Sequence, residues 1–389
     1  MRLANRIAFL ALVVGYACSS PERPPPLASS TGAGGSGPSD GGLVDVEADG
    51  LPGVCGEQII PAISDPPTLY FVLDRSGSMN ELYEGSDVSK YQAARDALSD
   101  VLRAIGHRVR YGAAVFPGIS SSSGCAPGRQ VFPTTQGDAP SYAAAGQAGP
   151  ILADFLTRLG YADQEGGTPT SITLRELEPT LLEQGPRTYV VLATDGAPNC
   201  NEQAVCGPES CMANIEGATY AGTACDADFN CCDPANTGAG AGALCVDDQA
   251  LEDAVQSLAD LGIPTYVVGL PGADIYAELL DRVAELGGTA RDAEPAYYAA
   301  SDTQALADAL YEIGTGVAIS CSIELASAPP DQELVNLYFD GRLVLSDPVD
   351  GWTWTGEQSL EVRGEACSEL SSGAVYEAQV VYGCATEVR

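Results

Sequence analysis

Three short stretches of this 389-residue chain carry oxygen-bearing side chains that suit a hard divalent cation. They are Asp74-Arg75-Ser76-Gly77-Ser78-Met79, Gly166-Gly167-Thr168-Pro169 and Thr194-Asp195-Gly196. Asp74, Ser76, Ser78, Thr168 and Asp195 together offer hydroxyl and carboxylate oxygens, the ligands preferred by Mg²⁺, Ca²⁺ or Mn²⁺. Mg²⁺ is octahedral and keeps waters, so a site with few direct protein ligands leaves positions open. If the hydroxyls bind directly and the carboxylates partly through water, the ion keeps much of its charge and can accept an outside carboxylate. Gly77 allows the tight turn that brings both serines inward. Any one of these motifs could be no more than a turn or a cap, where Ser and Asp are common. Three in order argue for a site.

Other chemistries lack their parts. His107 is the sole histidine, follows a predicted helix beside Arg108, and reads as a solvated surface residue. A Ser-His-Asp triad or a zinc hydrolase centre is therefore not expected. No phosphate-binding loop or dinucleotide fingerprint is present, since Gly-Gly-Thr-Pro lacks the lysine and the spacing. The chain is read as a binding protein without catalytic or organic-cofactor residues. Asp226, Asp228 and Asn230 have the spacing of a calcium loop, but Cys231 and Thr237 stand where glycine and glutamate are wanted.

The elements around the motifs alternate. Leu69 to Leu73 is a continuous apolar run, the mark of a strand buried on both faces. Asp87 can cap a following helix in which Tyr91, Ala94, Leu98, Val101 and Ile105 recur at helical spacing. Strands are predicted over 109–116, 188–193 and 263–269, with a short edge strand over 130–132. Helices are predicted over 147–160, 170–184, 247–261, 274–286 and 302–316. This alternation implies an α/β fold, a doubly wound and mostly parallel sheet covered on both faces. In such sheets ligands bind at the carboxyl ends of the strands, where the strand order reverses, and there the three motifs can meet.

Here the sequence resembles the von Willebrand factor A-type domains. Asp74-x-Ser76-x-Ser78 followed by Thr168 and Asp195 is similar to the complete metal-ion-dependent adhesion site of that family, over about residues 66–317. The resemblance implies a six-stranded sheet with one antiparallel edge strand. It also implies metal-dependent binding of a protein or extracellular-matrix ligand through an acidic residue of that ligand. The competing readings are a metal- and disulfide-stabilised structural envelope protein and, with less support, a hydrolase or metal-insertion subunit.

Composition sets the setting. Lys and Arg total 18 against 53 Asp and Glu, a net charge of −35, and Lys90 is the sole lysine. So acidic a surface repels nucleic acid, and no basic cluster offsets it. Residues 1–17 read as a signal peptide, with Arg2 and Arg6 before an apolar stretch too short to span a bilayer. Ala17-Cys18 resembles a lipoprotein processing site, with Cys18 the acylated residue. Residues 18–54 then form a Pro/Gly/Ser-rich tether averaging roughly 35 Å end to end. The expected location is the cell envelope, on the outer membrane, facing periplasm or exterior, with the membrane reached by the lipid anchor alone.

Setting Cys18 aside, the remaining 12 of 13 cysteines form an even set, which suits an oxidising compartment. The main domain is assigned to 55–320, with a cysteine-rich insertion at 199–246, and a small all-β module to 321–389. In that module Asp340-Gly341 marks a hairpin between apolar runs. Cys55 and Cys321 should both lie at the edge opposite the metal, which predicts a bridge between them. Cys125 groups with Cys200, Cys206, Cys211, Cys225, Cys231, Cys232 and Cys245 of the insertion, leaving Cys367 and Cys384 to the terminal module.

Overall fold

The computed structural model describes residues 58–60, 66–83, 86–118, 124–160, 165–318, 321–371, 375 and 378–388. The residues read as a signal peptide and tether, with Cys18 and Cys55, lie outside the described residues.

After a short strand β1 (Gln58–Ile60), the chain enters the buried strand β2 (Thr68–Asp74) and then helix α1 (Lys90–Ile105). Ser89, not Asp87, caps α1: its hydroxyl accepts from the amide of Gln92 at 3.2 Å. Strand β3 (Arg110–Phe116) pairs parallel to β2, and β4 (Arg129–Gln136) returns antiparallel. Helices α2 (Pro140–Ala144), α3 (Pro150–Leu159) and α4 (Thr170–Leu182) precede β5 (Thr188–Thr194). The insertion holds only short pieces: α5 (Met212–Ile215), the two-residue strands β6 (Thr219–Tyr220) and β7 (Thr223–Ala224), and α6 (Pro234–Thr237). Regular alternation resumes with α7 (Asp248–Asp260), β8 (Thr265–Gly269), α8 (Ala277–Leu286), β9 (Tyr298–Ala299) and α9 (Thr303–Ala318).

Among the described residues the main sheet has six strands in the order β4-β3-β2-β5-β8-β9, with β4 the antiparallel edge. This is the doubly wound, mostly parallel α/β fold expected from the alternation. Period-two geometry divides β2 between two cores. Leu69, Phe71 and Leu73 face α1, α3 and α9, whereas Tyr70 and Val72 face α4, α7 and α8. The edge strand β9 was not foreseen, being two residues long, and β4 runs well beyond its predicted three residues.

The terminal module is built from β10 (Ser322–Glu324), β11 (Val335–Phe339), β12 (Arg342–Val344), β13 (Trp352–Trp354), β14 (Ser359–Val362), helix α10 (Gly364–Ser371) and β15 (Ala378–Tyr382). The strands form two antiparallel sheets, β1-β15-β11-β12 and β10-β14-β13, that share one core around Trp352. Two expectations are corrected here. The module is not all-β, because α10 closes the core with Leu370. Its first sheet also takes Gln58–Ile60, a segment assigned by sequence position to the main domain. The predicted hairpin is present, with Asp340 and Gly341 both at positive φ (49° and 79°), as a tight turn matching strand twist requires. Arg108, at the edge where β3 begins, donates to the carbonyl of Leu370 at 3.4 Å, so the module meets the main body opposite the carboxyl ends of the strands.

Phe155 of α3 is fully buried, with ring centroids 6.1 Å from Phe71 and 5.2 Å from both Tyr111 and Phe132. It ties α3 to β2, β3 and β4. Phe155→Ala should cost roughly 3–5 kcal/mol, read as a lower urea midpoint at unchanged slope. A loss under about 1 kcal/mol would show that the cluster does not anchor this helix layer.

Candidate metal centre

The order of strands explains where the site forms. From β2 the chain winds one way through β3 and β4, then returns to the other side of β2 for β5, β8 and β9. The strand order therefore reverses between β2 and β5, and Asp74 ends β2 while Thr194-Asp195 ends β5.

Asp74 is fully buried, and both of its oxygens are occupied. Oδ1 accepts from the amide of Ser76 at 2.7 Å, and Oδ2 accepts from the hydroxyl of Thr194 at 2.6 Å. The hydroxyls of Ser76 and Ser78 are 3.1 Å apart, and Ser78 donates to Oδ1 of Asp195 at 2.8 Å. Asp74, Ser76, Ser78, Thr194 and Asp195 thus form one connected oxygen cluster. It opens outward at the exposed Ser78, while Asp74, Ser76 and Asp195 are buried. Burial, and next the charge of Asp195, push the Asp74 carboxyl up to about 7, against hydrogen bonds from Thr194 and Ser76 that favour ionisation.

Among the described residues Thr168 makes no hydrogen bond to this cluster; its loop is tied beside it through Gly166 and Asn199. Gly77 donates to the carbonyl of Gly166 at 3.0 Å, and Gly167 to that of Gly124 at 3.0 Å. The amide of the buried Thr168 donates to Oδ1 of Asn199 at 2.7 Å, and the amide of Asn199 returns a bond to the carbonyl of Thr168 at 2.9 Å. A disulfide between Cys125 and Cys200 closes the same corner. The fit is close: a Cβ on Gly167 would come within 2.6 Å of the Cys200 sulfur and 2.7 Å of Asn199 Oδ1, so that position is reserved for glycine. Loops following β2, β3 and β5, and the one leading into α4, are thereby fastened together.

Four side chains at or beside the site were not singled out by their roles in the sequence. Thr194 and Asn199 flank Asp195 closely enough that proximity could have flagged them. Lys90 was noted only as the sole lysine, yet it begins α1 and reaches back, so that its buried ammonium lies 2.8 Å from Asp195 Oδ2 and 2.8 Å from Glu81 Oε2. Burial alone would lower the Lys90 pKa, but bonds to Asp195 and Glu81 hold it above its usual value, so it stays charged.

The remaining candidates divide. Cys125 and the seven insertion cysteines do form their own set, as Cys125–Cys200, Cys206–Cys245, Cys211–Cys232 and Cys225–Cys231. The predicted Cys55–Cys321 bridge is overturned, because Cys321 pairs with Cys367 of α10. Helix α10, unforeseen in the module, carries the Cys367 that takes Cys321. Cys384 is also disulfide-bonded. The sulfurs of Cys206, Cys232 and Cys245 lie within 4.8 Å of one another, but each is in a disulfide and none offers a thiolate. Asp226 and Asn230 are spent on turns: Asp226 accepts from the amides of Asp228 and Phe229, and Asn230 from that of Cys232. His107 is half-buried rather than solvated, accepts from Arg108 at 3.0 Å, and sits at the opposite end of the sheet from Asp74.

No family model and no curated protein matches the chain. Solved structures of related shape include the pilus adhesin SpaC from Lactobacillus rhamnosus GG, at 16% identity and a TM-score of 0.45, covering 83% of this chain and 40% of that one. The PilB minor pilin from Streptococcus sanguinis gives 18% identity and a TM-score of 0.42, covering 67% and 62%. The manganese-loaded TRAP protein of Plasmodium vivax gives 14% and 0.35, covering 64% and 72%. This chain spans about two fifths of the SpaC chain.

Asn199→Ala would leave the buried Thr168 amide without its acceptor, costing about 1–3 kcal/mol and lowering Tm by roughly 2–8 °C. An unchanged Tm would mean that the Thr168 loop is held in place without Asn199.

Proposed function

We propose that the chain is a metal-ion-dependent binding module, in which Asp74, Ser76, Ser78, Thr168 and Asp195 hold one Mg²⁺, or Ca²⁺ or Mn²⁺, for recognition of an acidic group on a protein or matrix partner. One observation carries this reading: hydroxyls from Ser76 and Ser78, the carboxylate that ends β2 and the carboxylate directly after β5 form a single bonded cluster that opens to solvent at Ser78. The donor set fits a hard cation, being all oxygen with no nitrogen or sulfur in the cluster. Such an ion, when bound, supplies a Lewis-acidic position to which a partner's carboxylate can add. The chain's own residues set the conditions for this. Asp74 spends both oxygens on Ser76 and Thr194, which fixes the β2 loop. Asp195 orients Ser78, and the Thr168 loop is fastened to both by Gly166 and Asn199.

The described disulfides, six with that of Cys384, support an oxidising compartment for this work. Among the described residues no helix is long and apolar enough to cross a membrane. We place the protein in the cell envelope, held there by a lipid on Cys18, and assign it no catalytic role.

Mg²⁺ at ten times its Kd should stabilise the protein by about 1.4 kcal/mol, reversed by chelator and absent in Asp74→Ala. A short glutamate-containing peptide should bind in Mg²⁺, dissociate on chelation, and fail to bind when the glutamate is replaced by glutamine. Metal-dependent stability with no metal-dependent peptide binding would make the ion purely structural. No response to metal at all would remove it from the account.

A further inference from the structure

Lys90 is chemically out of place. It is the sole lysine in a chain with 53 acidic residues, and it stands at the first position of α1, where the helix dipole disfavours a cation. Its side chain is only 4% exposed, and that of its partner Asp195 is fully buried. Burying a charged group is costly unless it is paired, so the pair with Asp195 is what permits both. Asp195 divides its oxygens: Oδ1 takes the Ser78 hydroxyl and Oδ2 takes the ammonium, each at 2.8 Å. Glu81, 69% exposed, meets the same ammonium from the rim at 2.8 Å. The loop after β8 closes over the pair. Gly272, at φ +105°, is so near that a Cβ there would lie 3.0 Å from the Asp195 carbonyl and 3.4 Å from Lys90 Nζ.

Resting on the proposed metal centre, we infer that Lys90 is a positioning residue: a built-in counter-cation that keeps Asp195 aimed at the site in the metal-free protein and competes with the incoming ion for that carboxylate. The ammonium does for the empty centre what the metal does for the filled one. It offsets the mutual repulsion of Asp74 and Asp195 and keeps the Ser78 loop attached through Asp195. Once the ion is present, the nearby positive charge opposes it and takes electron density from Asp195. The centre is thus pre-assembled at the expense of metal affinity, and a bound ion is left more electron-poor toward an outside acid.

The test is calorimetric titration of the full chain with MgCl₂, wild type against Lys90→Met, with Tm measured for each without metal. The account expects Lys90→Met to bind Mg²⁺ about tenfold more tightly, through loss of a like charge, with a lower metal-free Tm and a larger rise on adding Mg²⁺. If the variant is unfolded without metal, it should fold as Mg²⁺ is titrated in. Equal or weaker affinity, or a variant still unfolded at saturating Mg²⁺, would overturn the inference and leave Lys90 a structural ion pair. Absence of Mg²⁺ binding by the wild type would instead overturn the metal centre itself, and this inference with it.

Discussion

The constraint on which the rest depends is the burial of two carboxylates, Asp74 and Asp195, at one end of a parallel sheet. Water cannot solvate them there, so their charge must be met by hydrogen bonds and by a cation. Serine and threonine hydroxyls supply the bonds: Thr194 to Asp74, and Ser78 to Asp195. Even so, burial and the charge of Asp195 push the Asp74 carboxyl up to about 7. The polypeptide places Lys90 beside one carboxylate and leaves the serine-lined mouth facing solvent. That arrangement is wasteful for stability alone, because apolar residues would fill the same space without cost.

The architecture serves that edge. Strands β2 and β5 are buried on both faces, which fixes their registers and hence the positions of Asp74 and Asp195 relative to each other. The loops are less constrained by nature and are fastened to one another instead. Gly77 is tied to Gly166, Gly167 to Gly124, and Thr168 to Asn199, with Cys125–Cys200 across the corner. The insertion begins at this point. It lacks apolar residues for a core of its own and packs around cystines, chiefly those of Cys211, Cys225, Cys231, Cys232 and Cys245. Its root, Asn199-Cys200, is tied to the Thr168 loop and to Cys125, so the insertion and the candidate site share these contacts.

Much of this was legible in the sequence, and for definite reasons. Strands buried on both faces announce themselves as continuous apolar runs, and α1 as a helical stripe, so the alternation and the parallel sheet followed. That Asp74, Ser76, Ser78 and Asp195 come together was legible because the loops carrying them follow strands whose apolar runs are clear, whereas the Thr168 hydroxyl is not part of their bonded cluster. What escaped notice depends on contacts distant in sequence. Lys90 meets Asp195 across 105 positions, and nothing local to α1 reveals it, although a lysine at a helix N-terminus is an anomaly that points to a partner. Helix α10 has no strong periodicity, and its absence from the reading led directly to the wrong partner for Cys321. Gln58–Ile60 is too short to signal its pairing with β15, which is set by the far end of the chain. Ser89 rather than Asp87 caps α1 because it directly precedes Lys90, where its hydroxyl can accept from the amide of Gln92.

The most direct test of the central claim is anomalous diffraction from crystals soaked in Mn²⁺, a cation with ligand preferences close to those of Mg²⁺ and a usable absorption edge. The account predicts one strong peak bordered by the hydroxyls of Ser76 and Ser78, with Asp74, Thr168 and Asp195 around it. A peak confined to other acidic residues, or none at this edge of the sheet at saturating Mn²⁺, would contradict it.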